Sequence, residues 1–176
     1  QKEVLSMTEL ELQQYLLCEY PQENARCEWK EFKNLKNSFC GDEKNDVISY
    51  VSAIANMEGG FLVVGVHDKT LEIVGTDTYN YDRQKAILRL TDRCANLSSE
   101  GLDIIEYITS DTLKKVWVIS IPKHRPKLPV YAHDKAWQRI EDSLVELTSE
   151  RLNAILEETS PTYDWSAETI IEATID

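Results

Sequence analysis

The sequence has no long hydrophobic run: the longest apolar stretch lies within FLVVGV at 61–66, far short of the roughly 18 residues a bilayer span needs. Its opening residues, QKEVLSMTEL, contain no apolar region of signal-peptide type. A soluble, cytoplasmic chain with no membrane partner is therefore expected. Cysteine is sparse and wrongly spaced for metal: Cys18, Cys27, Cys40 and Cys94 stand 9, 13 and 54 positions apart, and His67, His124 and His133 complete no zinc-ligand pattern. Free thiols in a reducing compartment fit this usage. No GxxxxGK[ST] sequence occurs, so nothing would cradle a triphosphate and its magnesium. There is no internal repeat and no low-complexity tract. Positive charge is in deficit, with 19 Lys and Arg against 31 Asp and Glu and a formal net charge of −12, which disfavours a protein that coats phosphate by bulk attraction.

What is present is a chain of 176 residues, 42% apolar, enough for one domain to build a core without disulfides or metal. The acidity is unevenly placed. Residues 140–176 hold ten acids against Arg151 alone, whereas residues 1–139 hold 18 basic and 21 acidic residues. Within 112–139 stand Lys114, Lys115, Lys123, Arg125, Lys127, Lys135 and Arg139 against the single acid Asp134. A smaller basic cluster is Arg26, Lys30, Lys33 and Lys36, set among Glu28 and Glu31. Each cluster is either a solvated face or a surface for a polyanion.

Thr8 and Glu11 have the spacing of a capping box, so a helix is expected over 9–19. Residues 28–32 suggest a short strand. A helix over 43–57 carries Val47, Ile48, Val51, Ile54 and Ala55 on one stripe and stops at Gly59-Gly60. A buried strand follows at 61–66, in a hairpin with 71–74, and then a helix over 82–97 with Ala86, Ile87, Leu90 and Cys94 inward. Residues 103–109 and 115–121 alternate as a second hairpin. Pro122, Pro126 and Pro129 isolate the basic loop KHRPKLP. A short pair at 130–132 and 136–140 and a helix over 149–158 complete the order. The expectation is an α+β domain with a mixed, largely antiparallel sheet and helices packed on it.

Four ordered blocks bring a family into view: EWKEFKN, then AIANMEGGFLVVGVHDK with EIVG after it, then VWVISIPKHRPKLPVY, then AWQRIEDS before the last helix. Together, from about Glu28 to Glu158, they resemble the Schlafen AlbA-like domain found in bacterial DNA-binding proteins, transcriptional regulators and helicase-related proteins, and in the core of Schlafen proteins. The resemblance implies a Schlafen-like core over 26–158, an N-terminal helical extension over 1–25, and an acidic linker over 159–176 leading towards C-terminal domains of a longer chain. It also implies nucleic acid, DNA first, as the partner, in a bacterial transcriptional regulator.

In nuclease members of that family three carboxylates hold a divalent metal for RNA cleavage, two in an E-x4-E-F-K motif and one just after the GxVD-type strand. Hard Mg²⁺ or Mn²⁺ prefers such oxygen ligands. Here the second glutamate matches Glu31 and the aspartate matches Asp68, but Arg26 stands where the first carboxylate belongs. Glu28 could substitute only if the strand twisted, since odd offsets face opposite sides. Glu31 and Asp68 are thus the catalytic and metal-ligating candidates of a ribonuclease alternative, the only case in which a metal cofactor is implied. Otherwise Glu31 is a salt-bridge partner of Lys33 and Asp68 a turn residue, with His67 beside it exposed. The phosphate contacts expected of a binding module are Lys33, Lys123, Arg125, Lys127 and Arg139, long cations beside a proline-stiffened loop. Trp117 reads as core, while Tyr131 and Trp137 could stack on bases or pack inward. A third alternative is an interaction or dimerisation module, using the apolar segment 130–132 as an open edge.

Overall fold

The computed structural model describes residues 7–21, 26–32, 38–39, 46–76, 82–141 and 143–158. Lys33 and the segment 159–176 lie outside them. Helix α1 (Glu9–Glu19) begins at the expected capping box: the Thr8 hydroxyl accepts from the Glu11 amide at 3.2 Å and the Glu11 carboxylate accepts from the Thr8 amide at 3.0 Å. Helix α2 (Val47–Ala55) is capped by Asp46, whose carboxylate accepts from the Ser49 amide at 3.1 Å. Helices α3 (Arg83–Arg93) and α4 (Ser149–Leu156) are capped by Asp82 and Thr148 in the same way.

The strands are β1 (Cys27–Lys30), β2 (Gly60–Val64), β3 (Cys94–Ala95), β4 (Asp103–Ile108), β5 (Lys115–Ile121), β6 (Tyr131–Ala132), β7 (Lys135–Ile140) and β8 (Ser143–Glu146). They form two four-stranded sheets, ordered β1-β2-β5-β4 and β3-β6-β7-β8. Among the described residues only β1 and β2 run parallel; every other pair is antiparallel. The parallel pair needs a crossover, and α2 lies within it. This is the mixed, largely antiparallel α+β architecture that the sequence pattern implies.

All nine residues of α2 are buried, because the helix packs on β2 and β5 of the first sheet and on β3, β6, β7 and β8 of the second. Its apolar side chains share a core with Leu62, Val64, Trp117 and Trp137. On the opposite face of the first sheet, Leu12 and Leu16 of α1 meet Trp29, Val63, Val116 and Val118. Alternation along β1 explains the division: Trp29 turns towards α1, and its indole N–H donates to the Tyr20 carbonyl at 2.9 Å. Among the described residues no helix is long and apolar enough to cross a membrane.

Several boundaries differ from expectation. The third helix stops at Arg93 rather than continuing to residue 97, because Cys94 and Ala95 leave it to pair with Ala132 and Tyr131. Cys94 stays inward either way, so burial alone cannot distinguish the two conformations. Strand β8 lay hidden in the acidic segment after Arg139, and a positive φ of 59° at Glu141 turns the chain into it. The expected second strand at 71–74 is reduced to a single bridge between Val66 and Ile73. Nor is 130–132 an open edge: β6 lies between β3 and β7, with Val130 and Ala132 buried. Trp137 joins Trp117 in the core, whereas Tyr131 is exposed.

Asn56, immediately after α2, is fully buried and uses its whole amide. Its Nδ2 donates to the Val130 and Trp137 carbonyls, each at 2.9 Å, and its Oδ1 accepts from the Val130 amide at 2.7 Å. Replacing it with alanine takes the partner from the Val130 amide and the Trp137 carbonyl, while the Val130 carbonyl keeps the Ser52 hydroxyl at 2.8 Å, so Asn56→Ala should cost about 2–4 kcal/mol in a urea unfolding experiment; a loss under about 0.5 kcal/mol would mean that water takes over the amide's role. On β4, burial works to raise the Glu106 carboxyl, but hydrogen bonds from the Trp117 indole and Lys115, with the charges of Lys115 and Arg83, outweigh it and hold the group below its ordinary value. A depressed carboxylate contributes stability above its unfolded value and loses it as pH falls through the folded one. Glu106→Gln should therefore destabilise by on the order of 1 kcal/mol at pH 7, and the difference from wild type should shrink once the pH passes below about 4.

Candidate nucleic-acid interface

Period-two alternation sets Glu28 and Lys30 on the same face of β1, pointing away from α1. The Lys30 ammonium stands 3.9 Å from a Glu28 oxygen and 3.6 Å from an Asp68 oxygen, and 5.1 Å from the centre of the Tyr50 ring on α2. Burial pulls Lys30 down, yet its hydrogen bond to Tyr50 and the charges of Tyr50, Glu28 and Asp68 outweigh that and raise it above the ordinary lysine value. It remains a cation. Glu28, only 5% exposed, is held from the other side by Arg139, whose Nη1 lies 3.4 Å from the carboxylate and donates to the Cys27 carbonyl at 3.1 Å.

The carboxylate that shares a counter-ion with Asp68 is therefore Glu28, and what stands between the two is an ammonium. Glu31 lies half-buried just past the end of β1. Arg26, in the place of the third carboxylate, donates from Nε to the Gly59 carbonyl at 3.2 Å. Among the described residues no three His, Cys, Asp or Glu side chains converge as metal ligands. A donor set in which Lys30 and Arg139 already neutralise Glu28 and Asp68 does not fit a divalent ion. His67 serves the turn: its Nδ1 accepts from the Lys69 and Thr70 amides at 3.1 and 3.2 Å, so that nitrogen carries no proton and its 3.9 Å approach to Asp68 is no ion pair.

The basic loop is anchored to two helix ends. His124, buried within it, presents its backbone amide and Nδ1 to the Ala55 carbonyl at 2.9 and 3.0 Å, and its Nε2 to the two Glu158 oxygens at 3.0 and 3.1 Å. A carbonyl only accepts, so Nδ1 is the donor there. Around this fixed point the exposed cations spread. Lys123 lies 3.5 Å from Glu58, Arg125 donates to the Asn96 carbonyl at 3.1 Å, and Lys127 donates to the Leu156 carbonyl at the end of α4 at 3.2 Å. Gly59 brings the two basic clusters together: its carbonyl holds Arg26, and a Cβ at its φ of +78° would sit 2.7 Å from the Lys123 nitrogen. Arg151 joins them, donating to the Asn56 and Met57 carbonyls at 2.9 and 2.8 Å.

The expected contacts thus fall into different environments. Lys123, Arg125 and Lys127 are exposed, whereas the Arg139 side chain is 10% exposed and bound on three sides. Tyr50 and Arg151 are additional members to which the sequence assigned no role, and Lys30 and Glu28, which it placed in the basic cluster and as a substitute carboxylate, prove to be partners of each other. The i, i+2 spacing of Glu28 and Lys30 could have placed those two together; Arg151 and Tyr50 meet the cluster only through tertiary packing. Arg139→Ala should lower stability by about 2 kcal/mol, since it leaves the buried Glu28 short of a partner. Lys123→Ala should stay within about 0.5 kcal/mol of wild type. Denaturant titrations of the two variants give the comparison, and equal losses would contradict the division.

The sequence profile of the Schlafen, AlbA_2 family matches residues 23–148. No curated protein sequence matches the chain. A solved structure similar to this one is the DIP2311 protein from Corynebacterium diphtheriae, with 20% sequence identity, a TM-score of 0.54, and coverage of 79% of this chain and 25% of that one. The chain thus spans a quarter of that protein's length, and the likeness is one of fold. The family match covers the β1 cluster, the glycine junction and the basic loop, and supports a nucleic-acid-related role in general terms. The chain belongs to the Schlafen AlbA_2 family.

Proposed function

We propose that this domain is a nucleic-acid-binding module, for DNA first, of a bacterial transcriptional regulator acting in the cytoplasm. The observation that carries the reading is the gathering of Arg26, Arg151 and the 123–127 loop around the C-terminal end of α2, with Arg139 adjoining at Cys27. Cations fixed by carbonyls and prolines lose less freedom on meeting phosphate than free surface lysines do. Lys123, Arg125 and Lys127 make the phosphate contacts, with Lys33 and Arg139 at the flank. Arg139 acts chiefly by holding Glu28 neutralised, so that no bare carboxylate faces the polyanion.

The ribonuclease alternative requires Glu31 and Asp68 to work on a metal, and Lys30 beside Asp68 speaks against it. Fluorescence anisotropy with labelled single- and double-stranded DNA and RNA at 50 and 200 mM salt tests both readings together. The affinity should fall steeply with salt, by ten-fold or more for several phosphate contacts. Charge reversal at Arg125 and Lys127 should remove most of the signal. Absence of binding at low salt, or affinity indifferent to those reversals, would reject the module as described. Cleavage of structured RNA with Mn²⁺ that disappears in Glu31→Ala would establish the enzyme instead.

A further inference from the structure

Helix α3 carries Arg83, Lys85, Arg89 and Arg93 with one acid, Asp92, in a chain that has 31 acids against 19 Lys and Arg. Its buried side holds Ala86 and Leu90, while Lys85 and Arg93 are exposed and Arg89 is half-buried. Lys85, Arg89 and Arg93 recur every fourth residue and so form one stripe, rising about 6 Å per step. That is the scale on which phosphates follow one another along a strand.

We propose that this stripe is a second phosphate-binding surface, continuous with the 123–127 loop, along which a bound nucleic acid extends beyond the loop. The proposal rests on the nucleic-acid reading and names more of its track. Three observations support it. Lys85, Leu88, Arg89 and Asp92 line one shallow concavity of about 350 Å³, and Asp92 and Arg93 border the next, where the exposed ring of Tyr131 offers a stacking face. The acids in these depressions are Asp92 and Asp134. Asp92 approaches Arg93 at 3.7 Å, an exposed pair too weak to withhold the guanidinium from a polyanion. The link to the loop is direct, because Arg125 donates to the Asn96 carbonyl three residues beyond Arg93. Arg83 is turned to the fold instead, donating to the Ile104 carbonyl at 3.4 Å, and takes no part.

The test is anisotropy on the 176-residue chain with 8- and 20-base-pair fluorescein-labelled duplexes across a salt series, comparing wild type with Lys85→Gln/Arg89→Gln/Arg93→Gln. The triple variant should bind the longer duplex at least ten-fold more weakly, with the slope of log K against log salt reduced by about two to three. It should lose the preference for the longer duplex, and its unfolding midpoint should match wild type. Lys85→Glu alone should show a weakening of at least three-fold, which keeps the test alive if the triple variant folds poorly. Wild-type binding with an unchanged slope in the variants overturns the proposal and leaves the nucleic-acid reading standing. No wild-type binding at all overturns both. Competition by polyglutamate as effective as by DNA of equal charge would assign the stripe to an acidic protein partner and also overturn it.

Discussion

The second sheet, α4 and the basic loop are all tied to the C-terminal end of α2. A helix buried along its whole length between two sheets cannot leave its last carbonyls to water, so other residues must supply donors. Asn56 connects the helix to the second sheet through Val130 and Trp137, Arg151 ties it to α4, and His124 ties it to the basic loop. Immediately afterwards the chain must pass into β2 beside β1. A Cβ at Gly60 would fall 1.9 Å from the Arg26 carbonyl oxygen, so only glycine allows that approach. Ala55, Asn56, Gly59 and Gly60, close together in the sequence, each perform a task at this one corner.

The same corner explains why a chain with a net charge of −12 can present a positive surface. The negative end of a helix dipole attracts cations, and here several are drawn to it by direct hydrogen bonds. Structure and the proposed recognition are therefore not separable for these residues. Those whose donors are spent on carbonyls, such as Arg26 and Arg151, position the surface, and the exposed loop cations present it.

Much of this was legible in the sequence. A capping box, apolar stripes and alternating strands announced most elements, and the ordered blocks brought the family into view; two of them, AIANMEGGFLVVGVHDK and VWVISIPKHRPKLPVY, meet at the α2 corner. What stayed hidden depended on partners distant in the chain. Two-residue β3 has no period of its own and exists only because β6 is alongside. The acidic stretch holding β8, Ser143–Glu146, shows no strand signal of its own until β7 pairs with it. In the same way Arg26 announced an incomplete carboxylate set, but nothing in the order of residues said that Lys30 would stand between Glu28 and Asp68. The dispersal of positive charge was misleading as well, since Arg139 reads as a free cation in a basic segment yet lies against Glu28 and the Cys27 carbonyl.

The inward place of Cys94 also bears on the chemistry of the thiols. Next to α2, burial and the charge of Asp46 push its thiol up to about 12, and its sulfur is hydrogen-bonded to the Ile48 carbonyl at 3.7 Å. At neutral pH that sulfur is held as the unreactive thiol. Cys27 is buried and raised too, so among the described cysteines Cys18, exposed on α1, is the one that alkylating reagents and oxidants meet. A maleimide probe would accordingly discriminate between these sulfurs, marking the outer helix while the sheets between which α2 lies go unmodified.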